Sequence, residues 1–157
     1  MKMKQFKRTI VLLVAVITLL CLFSLGASAN EEMPSGDFTY VVQEDNTVKI
    51  IGYSGGEKDV VIPSEIDGFT VTVVGNSSFD SKRVKSVTIP KEITLIEANA
   101  FYFCRVTAIN VSPENTEYSS DENGVLFNKD KTVLIKFASG SEIKEYVMPD
   151  TVTSISR

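Results

Sequence analysis

The chain of 157 residues has no histidine, no tryptophan and only two cysteines. Without an imidazole to take a proton from serine or cysteine, the usual nucleophilic triads cannot be assembled. Zinc chemistry is excluded with them, because the three or four soft ligands that a zinc site needs are not present. Positive charge is also short. Sixteen basic side chains stand against twenty acidic ones, a net charge of −4, so no basic surface is available for the counterion release on which nucleic-acid binding depends. Beyond residue 29 no stretch sustains a helical period, which excludes a helical bundle and leaves strand and turn.

What is present begins with a leader. Lys2, Lys4, Lys7 and Arg8 precede an apolar run from Ile10 to Leu25, and Ala27-Ser28-Ala29 follows with the small-x-small pattern of a signal-peptidase site. Residues 1–29 therefore read as a signal peptide, cut between Ala29 and Asn30. The apolar run is shorter than the roughly 20 residues that span a bilayer, which argues against a retained anchor. Leu20 is too bulky for lipid attachment at Cys21. Membrane contact is thus expected only through the signal peptide before cleavage, and the product is expected to be secreted or held at the cell surface.

Four of the sixteen basic residues and none of the twenty acids lie in this leader, so the remainder carries twelve against twenty, a net of −8. Its length suits one domain. Cys21 leaves with the leader, so Cys104 has no partner for an internal disulfide. Beside Phe101, Tyr102 and Phe103 it is expected to be a small buried apolar group.

Segments ending in an apolar residue and proline recur: Val60-Val61-Ile62-Pro63, Val87-Thr88-Ile89-Pro90 and Tyr146-Val147-Met148-Pro149. Val84, Val87 and Ile89 share their offsets with Ile143, Tyr146 and Met148, an alternation that predicts strands. A further copy runs through Val106, Ile109 and Val111 to Pro113, 22 residues on from Val84. Proline, having no N–H, marks the corner where each strand leaves its ladder. A second apolar segment and an aromatic follow: Val71, Val73 and Val74 lead to Phe79, and Ile93, Leu95 and Ile96 lead to Phe101. Asp67-Gly68-Phe69 inserts a turn into the first copy.

Two segments depart from this period. Phe38–Val42 and Thr47–Ile51 read as a hairpin that caps the first coil. Val125–Phe127 and Thr132–Ile135 read as a second hairpin, looped out between repeats. Residues 30–37 are polar and expected to form a flexible linker.

The run from Val84 to Cys104, Val-x-Ser-Val-Thr-Ile-Pro and then Ile-x-x-Ile-x-x-x-Ala-Phe-x-x-Cys, resembles the BspA-type leucine-rich repeat of bacterial surface proteins. The likeness extends over residues 38–157, including Ile50-Ile51-Gly52-Tyr53 and the Asp-x-x-Gly-Val-Leu-Phe of 121–127. It implies a mainly β, right-handed leucine-rich-repeat solenoid with an N-terminal hairpin cap and an inserted hairpin, preceded by a signal-peptide helix. It also implies a secreted or surface protein that binds other proteins. Ser78 departs from the pattern, standing where Ala100 stands in the next copy, and leaves tight packing of that coil in question.

Other motifs carry little chemistry. Gly52-Tyr53-Ser54-Gly55-Gly56 matches a nucleophile elbow but lacks its histidine, and reads as a glycine-rich turn. Asp121, Asn123, Gly124 and Asp130 imitate an EF-hand loop, with Ser119 in place of its first ligand and no flanking helices, and read as turn residues. Asn76-Ser77-Ser78 and Asn110-Val111-Ser112 match a glycosylation tripeptide, which means little in a bacterial-type protein. The acids do not converge as a glycosidase pair would. No catalytic residue, metal or cofactor is expected.

The candidate ligand face consists of side chains that alternate with the buried ladder: Lys85, Ser86, Thr88, Thr107, Ala108, Asn110, Lys144 and Glu145. Its expected partner is an extracellular protein or glycan. The alternative is that these repeats belong to a larger exported enzyme, a wall hydrolase or protease whose catalytic domain lies beyond residue 157. Val152 and Ile155 start a further copy, with Ile155 matching Ile96, and no Ala-x-Phe follows. The sequence is therefore expected to be a piece of a longer protein.

Overall fold

Alternating apolar residues become two parallel ladders, and the chain passes back and forth between them. The computed structural model describes residues 31–79, 84–102 and 104–156, so the expected signal-peptide helix and the expected Ala29–Asn30 cut lie outside the described residues. The strands are β1 (Met33–Ser35), β2 (Phe38–Val42), β3 (Val48–Tyr53), β4 (Asp59–Val61), β5 (Glu65–Ile66), β6 (Phe69–Val74) and β7 (Ser86–Ile89). They continue as β8 (Leu95–Ile96), β9 (Ala108–Val111), β10 (Tyr118–Ser120), β11 (Leu126–Asn128), β12 (Val133–Lys136) and β13 (Ser154–Ile155). Among the described residues no helix is long and apolar enough to cross a membrane.

One ladder runs β3, β6, β8 and the other β4, β7, β9, all pairings parallel. Each coil contributes one strand to each ladder, so the chain is a β-solenoid. Val60, Val87 and Ile109 are directly paired in the second ladder and almost fully buried. From the first ladder Ile50, Val71 and Val74 are buried with them in the same core. Phe38, Tyr53, Phe79 and Phe101 line up beside this core, with successive ring centroids 5.2, 5.8 and 5.5 Å apart. These separations suit offset or tilted aromatic contacts.

Backbone bonds show how strictly the coils repeat. Thr94 N–H donates to Thr72 C=O, Ser77 N–H to Asn99 C=O and Thr107 N–H to Lys85 C=O, each across 22 residues. Between the first and second coils the spacing is longer, as Lys85 N–H donates to Lys58 C=O. The inserted β5–β6 hairpin takes up the difference. Its turn puts Asp67 and Gly68 at φ 50° and 85°, the left-handed pair that a two-residue hairpin favours.

Residues 33–35, expected within the flexible linker, instead form β1 and pair with Phe38–Tyr40. Gly36 supplies the turn with φ 56°, Met33 packs against the core, and Ser35 Oγ donates to Asp67 Oδ1 at 3.1 Å. The Tyr40 hydroxyl, which donates to the same carboxylate, has its pKa pushed up to about 12 by burial and by Asp67.

The second hairpin repeats the first. Asn46 and Lys131, 85 residues apart, are both left-handed at φ 61° and 54°, and each N–H donates to the carbonyl three residues back, Gln43 or Asn128. Gln43 Nε2 donates to Thr47 Oγ1 at 2.7 Å and Asn128 Nδ2 to Thr132 Oγ1 at 2.8 Å. β12 then pairs in parallel with β13, as β3 pairs with β6. The expected new copy at Val152–Ile155 thus begins a third ladder over a separate small core of Val125, Phe127 and Leu134.

The segment 143–148, expected as a strand, is irregular and pairs with nothing. The reason is that the hairpin already occupies the edge of β9. Ile109 N–H donates to Gly124 C=O at 2.9 Å, and Val111 N–H to Ser120 Oγ at 3.0 Å. Tyr146 turns aside, its hydroxyl donating to Asp121 Oδ2 at 2.6 Å and its ring edge-on to Phe137.

Among the described residues Ser78 and Asn115 are the polar side chains buried among the coils, and both bridge them. Ser78 Oγ donates to Ile50 C=O at 2.8 Å and Gly75 C=O at 2.5 Å, so the residue that departs from the repeat pattern ties its coil to the cap. Asn115 Nδ2 donates to the carbonyls of Pro90 and Ile93, both at 2.9 Å, while its Oδ1 accepts from Glu117 and Tyr118 N–H. Cys104 is buried, as expected.

Asn115→Ala would strip four backbone groups of their partners at a fully buried site. Each unsatisfied group costs about 1–3 kcal/mol when water cannot reach it, and water partly re-enters such a site. The expected loss is about 3 kcal/mol in denaturant unfolding; a change below about 1 kcal/mol would show that this asparagine does not hold the coils together. A second test concerns Glu97. Burial raises its pKa, but the Lys49 and Asn76 N–H hydrogen bonds and the Lys49 charge outweigh that and leave it lowered. A carboxylate with a depressed folded-state pKa stabilises the fold above its unfolded value near ~4.3 and loses that contribution as pH falls through the folded value. Lys49→Met is therefore expected to raise the Glu97 pKa, as read by NMR titration, and to move the acid limb of stability to higher pH.

Candidate functional site

The β4–β7–β9 ladder turns its other face outward, and the register decides which side chains meet there. Asp59, Ser86 and Ala108 form one row, and Val61, Thr88 and Asn110 the next. Adjacent strands lie ~4.8 Å apart, so each row offers three side chains across ~10 Å. Lys58, Lys85 and Thr107 form a flanking row just before the strands, linked by the stacked bonds from Lys85 N–H to Lys58 C=O and from Thr107 N–H to Lys85 C=O. Because parallel strands hold every row in place by backbone bonds, the face is rigid before any ligand arrives.

Not all of its polar groups are available. Ser86 Oγ donates to Asp59 Oδ1 at 2.6 Å, and Thr107 Oγ1 to Lys85 C=O at 3.0 Å. The row of Val61, Thr88 and Asn110 is uncommitted: Val61 is 66 % exposed, and no described residue takes up the Thr88 hydroxyl or the Asn110 amide. Lys85 projects beside this row without an ion pair among the described residues. The geometry therefore brings together Lys85, Ser86, Thr88, Thr107, Ala108 and Asn110. Lys144 and Glu145 do not join them, since their segment belongs to no strand.

Val61 also belongs to this face, although it was not among the side chains expected there. Alternation alone could have found it: Val60 and Ile62 point inward, so the residue between them points out. The row is flat and sets one apolar group beside two hydrogen-bonding groups.

The motifs that imitate catalytic or metal sites are accounted for by the fold. Ser54 lies just past β3, where its N–H and Oγ both donate to Asp37 C=O, so the glycine-x-serine string closes a turn. Asp121 Oδ1 accepts from Asn123 N–H at 3.0 Å and Val125 N–H at 2.9 Å. Its other oxygen is held by Tyr146, whose own pKa is raised by burial and then by that carboxylate. The carboxylate is thus spent inside its own loop, shaping a turn whose Gly124 at φ 70° approaches Ala108 too closely for any side chain. Among the described residues no three acids or thiols gather as a metal site would require.

Known proteins were compared with this architecture. No curated protein sequence matches the chain. Among solved structures it is similar to a leucine-rich cell-surface protein of Faecalibacterium prausnitzii, at 26% identity and TM-score 0.51 over 58% of this chain and 26% of that one. A leucine-rich repeat protein of Bacteroides capillosus aligns at 20% identity and TM-score 0.47, over 79% of this chain and 96% of that one. A Treponema pallidum leucine-rich repeat protein aligns at 28% identity and TM-score 0.44, over 52% and 39%. The match thus spans about a quarter of the F. prausnitzii protein's length. The family model for the BspA-type leucine-rich repeat region matches residues 58–157 in six copies. With well over half of its length covered by that model and its strands stacked as coils, the chain belongs to the BspA-type leucine-rich repeat family.

Proposed function

We propose that this chain is an exported, noncatalytic recognition module that works at the bacterial surface or is released from it. It holds an extracellular protein on the outward face of β4, β7 and β9. The observation that carries this reading is the row of Val61, Thr88 and Asn110: in register, uncommitted and on a rigid ladder. A surface ordered beforehand loses little conformational entropy when a ligand docks, so modest contacts convert efficiently into affinity. Lys85 at one side favours an acidic rim on the partner, and a rim charge acts mainly on association rate and salt dependence.

Export is part of the same proposal. It rests on the basic leader, the apolar run and the Ala27-Ser28-Ala29 site, and it agrees with the surface location named for the F. prausnitzii relative.

Two measurements test it. Protein recovered from the medium or envelope of an expressing bacterium should begin at Asn30; recovery only with residues 1–29 attached would overturn export. A panel of purified extracellular-matrix proteins on a biosensor should include at least one saturable ligand. The double variant Val61→Asp, Asn110→Ala should weaken that binding by about tenfold, roughly 1.4 kcal/mol, with circular dichroism unchanged. If the panel gives no saturable ligand, or the folded variant binds as the parent does, the strand face is not the recognition surface.

A further inference from the structure

The interruption of the coils by the second hairpin leaves a seam, and the seam is hollow. Ile96 N–H donates to the Tyr118 hydroxyl at 2.9 Å rather than to a next strand, so the ladder of β3, β6 and β8 ends there. The following ladder begins only at β12. Between them lies a cleft of about 220 Å³, with β8 and the turn after it on one wall and β12 and Ser156 on the other.

We propose that this cleft binds one acidic sugar ring, a pyranose bearing a carboxylate, with Tyr102 as its stacking platform and Lys136 as the carboxylate's partner. Size sets the first limit. Clefts for drug-sized ligands run to about 300–1,000 Å³, and this one is smaller, the scale of a single ring. Its chemistry sets the second. Ile96, Phe101 and Ile135 supply apolar walls, and Tyr102, 63 % exposed, presents an aromatic surface at the rim. A pyranose has an apolar face suited to such a ring and a rim of hydroxyls for the polar groups around it.

Three of those polar groups are uncommitted. The Asn99 amide, the Lys136 ammonium and the Ser156 hydroxyl have no side-chain hydrogen bond or ion pair with any described residue. Glu97 also lines the cleft, but its Oε1 is held by Lys49 at 3.0 Å and its Oε2 by Asn76 N–H at 2.7 Å. Its charge is answered from within the fold. Lys136 is then the one lining charge left without a counterion among the described residues, and it selects for an anion.

A peptide fits less well. β12 is paired on both sides, by β11 and β13, and the Ile96 amide at the β8 edge is taken by Tyr118. The Ile96 amide and the β13-paired side of Val133 and Leu134 are therefore closed to an added strand, and edge pairing is how an extended peptide gains most of its backbone bonds.

The test uses the full chain and three probes, glucuronate, glucose and N-acetylglycine, followed by saturation-transfer and amide-shift NMR. Glucuronate is expected to bind saturably and to shift the amides of Asn99, Tyr102 and Lys136, with glucose weaker and N-acetylglycine weaker still. Tyr102→Ala should reduce glucuronate affinity by about tenfold, and Lys136→Gln should reduce it by about fivefold while leaving glucose unchanged. Either variant that keeps the parent circular dichroism is sufficient. No saturable glucuronate binding, undiminished binding in a folded variant, or equal binding of N-acetylglycine would each overturn the proposal. Because the cleft is separate from the β4–β7–β9 face, none of these results bears on the protein-binding reading.

Discussion

Everything in this solenoid depends on the in-register offset at which one coil sits on the next. A single coil has too few apolar residues to enclose its own interior; Val87 is buried only because Val60 and Ile109 lie directly on either side of it. The backbone enforces that offset. Bonds such as Thr94 to Thr72, Ser77 to Asn99 and Thr107 to Lys85 fix three corners of a coil at one spacing, and a slip at any of them would carry apolar residues out of the core. The aromatic column through Tyr53, Phe79 and Phe101 follows from the same constraint, because coils stacked in register superpose the rings.

A stack of coils has two ends, and each exposes strand edges and apolar surface. The chain solves this with the same antiparallel device used twice. At the start, β1, β2 and β3 form a meander whose last strand supplies the first rung of a ladder. Within the chain, β10, β11 and β12 do the same for a new ladder, and they also close the old one: Gly124 and Ser120 take the N–H groups of β9, while Tyr118 takes that of Ile96. The inserted hairpin is therefore a terminator and an initiator together.

This explains what the sequence could and could not reveal. The ladders were legible because burial on one face writes an alternation into Val84, Val87 and Ile89, and because proline marks the corner after them. Both hairpins were legible from turn residues between short apolar runs. β1 was not, since one methionine followed by Pro34 and Ser35 gives no apolar alternation, and its pairing depends on a turn at Gly36 and a hydrogen bond to distant Asp67. Ile143 to Met148 carries the right alternation and still forms no strand, because alternation reports which side chains could be buried and says nothing of whether a neighbouring edge is free. For the site, the outward rows of β7 and β9 followed from periodicity, whereas the placement of Lys144 and Glu145 failed with their strand. Asn115 escaped notice altogether: one asparagine among turn residues looks like any other until its four partners are brought around it.

Regularity and irregularity in this fold thus leave different kinds of surface. Where coils repeat without interruption, side chains align into flat rows, and a flat rigid row can meet only another extended surface. Where the repeat breaks, two ladders with separate cores face one another, and the side chains between them lack the partners that the next coil would have supplied. Lys136, Asn99 and Ser156 are left uncommitted for that reason. The hydrogen bond from Ile96 to Tyr118 stands at the junction of both regimes: it ends the ladder of β3, β6 and β8, and beside that end lies the cleft between the coils and the hairpin.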